Sequence, residues 1–271
     1  MKTITFLLTL ILILNLNAQN HKQEWNFYFC QVDGKEASIY LDLGLINVAP
    51  VPEMDHLFWV SIKMNNPRTD GMSSREESSK LWEIEDFIVE QLVSNHQVIY
   101  VGRLTSNNCR DLFFYLGKDK LVEKTLSTSF LKFPEYKFDH GINENDNWDL
   151  YLDFLFPDPE TYQSIMNRRV LDYMEEQGDQ LTQERQVDHW IYFKTESGRD
   201  EFEKEVVKRN FKITSRSFVE DTQDLKYQLV ISRIDKISLN EIDAYTIELW
   251  KLAIKYNGDY DGWEAPLIVD K

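Results

Sequence analysis

The sequence predicts an α+β protein of two domains. Three observations carry this reading. Strand-like runs and amphipathic helical runs follow one another from Trp25 to Trp263. The segment Phe156-Pro157-Asp158-Pro159-Glu160 sets two prolines in three residues, which stops a strand and favours an extended link. Beyond that link, the elements follow the order βαββαβ behind a leading helix. A chain of 271 residues suffices for one large or two ordinary domains. An apolar fraction of 42%, with 13 Tyr, 16 Phe and 7 Trp, supports real cores. Only 10 Gly and 7 Pro argue against a low-complexity chain.

Residues 1–18 read as a secretory signal peptide. Met1-Lys2 supplies a positive start, Ile4 to Leu14 an apolar run, and Ala18 a small residue before polar Gln19. The run is shorter than the roughly 20 residues that span a bilayer. Cleavage after Ala18 is therefore expected, with an uncleaved anchor as the alternative. No stable membrane span remains after cleavage. No cysteine stands near the cleavage point to take a lipid. The expected location is the periplasm or outside the cell.

The formal charge is −16, and −17 once Lys2 leaves with the leader. Such a chain repels nucleic-acid phosphates and anionic lipid surfaces. The charge serves solubility or, alternatively, selects a basic protein partner. The two cysteines, Cys30 and Cys109, fall in strand-like segments. A disulfide joins them only if their Cα atoms come within about 7 Å. Free thiols are the alternative.

The first domain, residues 24–156, reads as an antiparallel sheet with packed helices. Trp25 to Val32 and Ala37 to Leu45 form a hairpin around Asp33-Gly34. Leu57 to Met64 is a third strand. Ser74-Arg75-Glu76-Glu77 has the hydroxyl and the later Glu of a capping box. It opens a helix from Arg75 to Val93, with Leu81, Ile84, Phe87, Ile88 and Leu92 on its inner face and its acids on a solvated one. Gln97 to Leu104 and Leu112 to Leu116 form a second hairpin. A short helix covers Lys118 to Phe130, Pro134 to Asn147 is irregular, and Asp149 to Phe156 closes the domain as a strand.

The second domain, residues 159–271, opens with a helix from Glu160 to Gln177, ended by Gly178. Val187 to Lys194 is a strand. Glu196 to Arg209 is a helix with Phe202, Val206 and Val207 inward. Phe211 to Phe218 and Tyr227 to Ile234 are strands, Ser238 to Tyr256 a helix, and Asp259 to Trp263 the last strand. Two helices on one face of such an antiparallel sheet make a ferredoxin-like domain. The first domain shows a looser version of this order behind an extra hairpin, with no internal sequence repeat.

Asp259-Tyr260-Asp261-Gly262-Trp263 after a long amphipathic helix, with Met174-Glu175-Glu176-Gln177-Gly178-Asp179 upstream, resembles the regulator of ribonuclease E activity B family. Trp25-Asn26-Phe27-Tyr28, the Gly71 loop and Tyr100-Val101-Gly102-Arg103-Leu104 resemble domain of unknown function 695. The pairing of these two domains is a known arrangement among bacterial proteins. The first resemblance implies a small ferredoxin-like domain that inhibits an endoribonuclease by binding it. That regulator acts in the cytoplasm, whereas this chain starts with an export signal. The fold and the non-catalytic, protein-binding style carry over, and the nuclease as partner does not.

The candidate partner-binding residues are Asp259, Tyr260, Asp261, Gly262 and Trp263. Asp259 and Asp261 lie two apart on the last strand, so they are expected to share a face. They could work as acid and base or hold a hard cation, or simply face solvent while Tyr260 enters the core. Trp263 is either a core plug or a partner anchor. His21, His56, His96, His140 and His189 lack metal-ligand spacing. No GxSxG elbow, P-loop or Rossmann fingerprint is present, so no cofactor and no metal are expected. The reading is a non-catalytic, protein-binding regulator of the bacterial cell envelope. The alternatives are an exported hydrolase using Asp259 and Asp261, a structural envelope component, or a cytoplasmic ribonuclease regulator should the signal not function. N-terminal sequencing of the native protein should begin at or near Gln19, and an intact Met1 would restore the cytoplasmic alternative.

Overall fold

The computed structural model describes residues 21–119, 121–220 and 224–269. The expected leader, residues 1–18, lies outside them. The chain divides into two compact units between Phe156 and Pro157.

The first unit holds a six-stranded antiparallel sheet of order β1-β2-β4-β5-β3-β6. Strand β1 (Trp25–Val32) turns through Asp33 and Gly34, both at positive φ, into β2 (Lys35–Asp42). Such a turn matches the twist of the paired strands. After a 3-10 turn at Leu43–Asn47 comes β3 (His56–Lys63). Helix α1 (Arg75–Asn95) follows, and Ser74 caps it by accepting from the Glu77 N–H. The Glu77 carboxylate does not complete the capping box. It accepts instead from the backbone N–H groups of Asn65 and Asn66, at 3.0 and 2.7 Å. Strands β4 (Val98–Ser106) and β5 (Cys109–Leu116) form the second hairpin, and α2 (Val122–Ser129) lies beside α1. Leu81, Ile84, Ile88 and Leu92 of α1 and Val122 and Leu126 of α2 pack on Phe58, Val60, Ile62, Leu112, Phe114 and Leu116.

Two expectations for this unit are corrected. The segment read as irregular contains β6 (Lys137–Asn143), paired with β3 along its whole length. As an edge strand it turns only Phe138, His140 and Ile142 toward covered surface, so its alternation is weak. The segment read as a closing strand is a π-helical turn, Leu150–Leu155. Its four-residue spacing buries Tyr151 and Leu155 together, with Tyr151 edge-on to Trp148. Trp148 in turn stacks on Tyr115 of β5 at 4.1 Å. Cys30 and Cys109, for which a disulfide and free thiols were both open, are free. Cys30 pairs with Ala37, and the row continues through Ser106 to Cys109, so three strand spacings separate them. That is about 14 Å, beyond a disulfide's reach.

In the second unit Asp158 caps α3 (Pro159–Glu176) by accepting from the N–H groups of Glu160 and Thr161. Pro159 takes the first helical position, where its missing N–H costs nothing. Then follow β7 (Arg185–Phe193), α4 (Glu196–Lys208), β8 (Lys212–Phe218), β9 (Tyr227–Asp235), α5 (Leu239–Lys255) and β10 (Gly258–Glu264). The sheet is antiparallel, in the order β10-β7-β9-β8. Phe202 and Val206 of α4 and Leu249 and Ala253 of α5 cover Ile191, Phe193, Leu229 and Ile231. Val207, expected inward, is half exposed. Helix α3 packs on α5.

Both units have the same connectivity. Without the β1–β2 hairpin, the first also runs βαββαβ. Numbering those four strands in chain order, its sheet reads 2-3-1-4 and the second unit's reads 4-1-3-2. These are one order read from opposite edges. A fragment from Asp158 to Lys271 encloses a complete sheet and its helices, so it should unfold in one cooperative transition. Absence of a thermal transition in that fragment would refute the division.

Candidate functional site

Strand β10 is an edge strand, and its sequence is shaped by a bulge. Tyr260 pairs with Ile191 and Gly262 with Trp190, leaving Asp261 as the extra residue. Side chains along a strand alternate, so residues three apart normally face opposite ways. The extra residue resets that parity. Tyr260 and Trp263 therefore both enter the helix-covered core, at 6% and 9% exposure. Gly262 sits at φ 147, a conformation that favours glycine.

Trp263 takes the position of the plug. Its Nε1–H donates to Asn167 Oδ1 of α3 at 2.9 Å, and its ring packs with Leu171, Met174, Ile242 and Tyr245. Asn167 is fully buried and fully used. Its Nδ2 donates to Asp243 Oδ1 and to Thr246 Oγ1, both at 2.7 Å, and its Oδ1 also accepts from Gln163 Nε2. One amide thus joins α3, α5 and β10.

Tyr260 lies with its hydroxyl 2.8 Å from Nδ1 of His189, which is completely buried on β7. Burial, and after it the charge of Arg233, hold His189 down to about 3. The ring is therefore neutral at physiological pH. It is a core histidine, edge-on to Phe211 and Tyr245.

Asp259 and Asp261 remain exposed. Acid–base pairs work from concave, water-excluded sites, whereas these two carboxylates stand on the outer edge of a sheet. They belong to an acidic, aromatic surface. On the side of the sheet opposite the buried Val187, His189, Ile191 and Phe193, β7 presents Asp188, Trp190 and Tyr192. The register places Asp259 opposite Tyr192, Gly262 opposite Trp190 and Glu264 opposite Asp188. Gly262 carries no side chain to cover Trp190, and a Cβ built there would meet no atom within 4 Å. Glu264 and Asp188 are like charges directly across the ladder, an arrangement that destabilises a sheet. Sequence reasoning missed Asp188, Trp190 and Glu264, because only the register brings them beside the tail. The alternation of β7 was the available signal.

Two family models match the chain, one to each unit. Residues 23–156 match a family of unknown function (DUF695). Residues 164–265 match Regulator of ribonuclease activity B. No curated protein matches the chain. Among solved structures, one assigned as a glycine cleavage system transcriptional repressor aligns at 10% identity and a TM-score of 0.25, covering 78% of this chain and 98% of that one. A protein of unknown function from Galdieria sulphuraria aligns at 8% identity and a TM-score of 0.22, with the same coverages. Likeness at that level carries no argument. The match to Regulator of ribonuclease activity B takes in the whole of β7 to β10, with the tail motif.

Trp263→Ala should cost about 3–5 kcal/mol in chemical denaturation, because it leaves a cavity and removes one of the two hydrogen bonds that Asn167 Oδ1 accepts. A loss below about 1 kcal/mol would show that the tail is not anchored there. His189 provides a second check. Its folded pKa lies below the ordinary 6.5, so its stabilising contribution is complete above pH 6.5 and declines as pH falls toward about 3. By about pH 5 the loss should reach about 2 kcal/mol. His189→Phe should remove that part of the acid sensitivity, and an identical pH slope in parent and variant would contradict the assignment.

Proposed function

We propose that the chain is a non-catalytic regulatory protein that acts by binding a basic protein partner, and that it works in the bacterial cell envelope. The observation that carries this reading is the acidic, aromatic outer surface around β10, in a domain that matches Regulator of ribonuclease activity B. Asp188, Asp259, Asp261 and Glu264 surround half-buried Trp190 and Tyr192. A Lys or Arg side chain placed there would neutralise the opposed Asp188 and Glu264 and lie against the uncovered indole. No helix of the described residues is long and apolar enough to cross a membrane. The envelope location rests on the leader pattern at residues 1–18. If the leader is cleaved, the partner is a protein other than a cytoplasmic ribonuclease. If Met1 persists on cytoplasmic protein, the ribonuclease becomes the partner to test first.

The test is affinity capture from the envelope fraction with the processed chain, followed by titration of the captured basic protein. Asp259→Asn combined with Asp261→Asn should leave the unfolding midpoint unchanged and weaken binding by at least about 10-fold, or 1.4 kcal/mol. Trp190→Ala should weaken it further. Equal affinity for parent and variants would move the interaction elsewhere. Substrate turnover by the parent that vanishes in the double Asn variant would establish an enzyme instead.

A further inference from the structure

The first unit holds a charge cluster that the sequence reading took for part of a solvated helix face. Glu85 of α1 is buried, and three donors converge on it. Arg103 Nη1 of β4 donates to Glu85 Oε1 at 2.5 Å, Arg110 Nη1 of β5 to Oε2 at 3.1 Å, and the Tyr100 hydroxyl to Oε1 at 2.8 Å. Arg110 also donates through Nε to Thr105 Oγ1 at 3.3 Å. Arg110 is 3% exposed and Glu85 4%. Two guanidinium groups share one carboxylate, so one positive charge is uncompensated. Arg110 is buried and the Arg103 side chain is 18% exposed, in a chain whose formal total is −16. Burial of an unbalanced charge is costly. Consistent with that cost, burial chiefly, and Arg103 with it, push Arg110 down to about 10, where it is still protonated at neutral pH.

Arg103 and Arg110 of this cluster line a cleft of about 380 Å³. This lies within the usual range for small-ligand sites, about 300–1,000 Å³. Its walls are aromatic. Trp82 of α1 is 50% exposed and Phe29 of β1 is 68% exposed. Tyr40 lies under the Arg103 guanidinium at 4.3 Å. Ser78 and Thr105 also line the cleft, and the Thr105 hydroxyl is the one that accepts from Arg110. Arg68 at the rim is paired with Asp70, which leaves the net charge of the cleft with the Arg103–Arg110–Glu85 group.

We propose that this cleft binds a small monocarboxylate with a flat apolar body. The unmatched guanidinium charge is suited to one carboxylate, which a guanidinium holds through paired N–H donors. The exposed faces of Trp82 and Phe29 take the apolar body. A phosphate dianion brings more negative charge than the cluster offers, against the field of an acidic chain. The site lies wholly in the first unit and is independent of the β10 surface.

The experiment is isothermal titration of the full processed chain with indole-3-propionate, its neutral primary amide and inorganic phosphate. At ordinary ligand efficiency the carboxylate should bind with a Kd of about 1 mM or tighter. The amide and the phosphate should bind at least about 10-fold more weakly. Trp82→Ala removes an exposed wall, so it should leave the unfolding midpoint in place and weaken the carboxylate about 10-fold. Raising salt from about 50 to 500 mM should weaken it as well. Absence of heat at about 10 mM carboxylate, equal binding of amide and acid, equal or tighter binding of phosphate, or undiminished binding by Trp82→Ala would each overturn the proposal.

Discussion

A strand gives its two faces to alternate residues, and the end of this chain must seat Tyr260 and Trp263, three apart, in one core. Inserting Asp261 as a bulge satisfies that constraint. Much of the second unit is arranged around the result. Tyr260 supplies the polar partner of buried His189, and Trp263 completes the hydrogen bonding of Asn167, through which α3 joins α5. Without the extra residue, one of the two rings would point to solvent and one buried polar group would lose a hydrogen bond. The same solution appears in the first unit. Tyr100-Val101-Gly102-Arg103 carries a bulge between Tyr100 and Gly102, which puts Tyr100 and Arg103 on the same side, both on Glu85. Gly102 is required there twice over, by its φ of 152 and because a Cβ would stand 2.4 Å from the Tyr40 carbonyl oxygen.

Charge in this protein follows burial. Most acids are on the surface, where they serve solubility. The buried ones are committed. Asp179 takes both guanidinium Nη groups of Arg185 and also accepts from the N–H groups of Leu181 and Ile268, which pins the chain after β10 to the start of β7. The Arg185 hydrogen bonds, ahead of the other contacts, hold Asp179 down to about 2. Glu77 gathers two backbone donors ahead of α1. The Glu85 cluster is the exception, since its positive charges outnumber its negative one. That imbalance separates it from the structural ion pairs.

The shared strand order of the two units bears on how the chain divides its work. The helix-covered face of each sheet is a core. The second unit offers an acidic surface around β10, while the first adds a hairpin beyond β4 and so gains the aromatic wall of its cleft. One connectivity thus supports surfaces of opposite local charge. The physical source of the difference is which residues occupy the bulged strands and their neighbours, and not the arrangement of the elements.

Element types were legible in the sequence wherever a period was strong. Helices α1, α3, α4 and α5 and the strands of the second unit followed from apolar spacing and caps, which act between near neighbours. The α+β class and the division at Phe156–Pro157 were legible on the same ground. The short segments were not. Lys137–Asn143 and Leu150–Leu155 take their form from β3 and from Tyr115 and Trp148, partners far away in sequence. The helical spacing of Glu77, Leu81, Glu85 and Ile88 could have marked Glu77 and Glu85 as facing the core, yet their partners on β4, β5 and the Asn65–Asn66 loop appear only in the folded chain. The tail motif was visible as a string of residues, but its division into buried rings and exposed carboxylates was decided by a bulge, and a bulge is defined only against a paired strand. Near-neighbour periodicity and capping are written in the chain itself, whereas register, parity and charge balance in a core arise from contacts between distant segments, and those exist only once the sheet has formed.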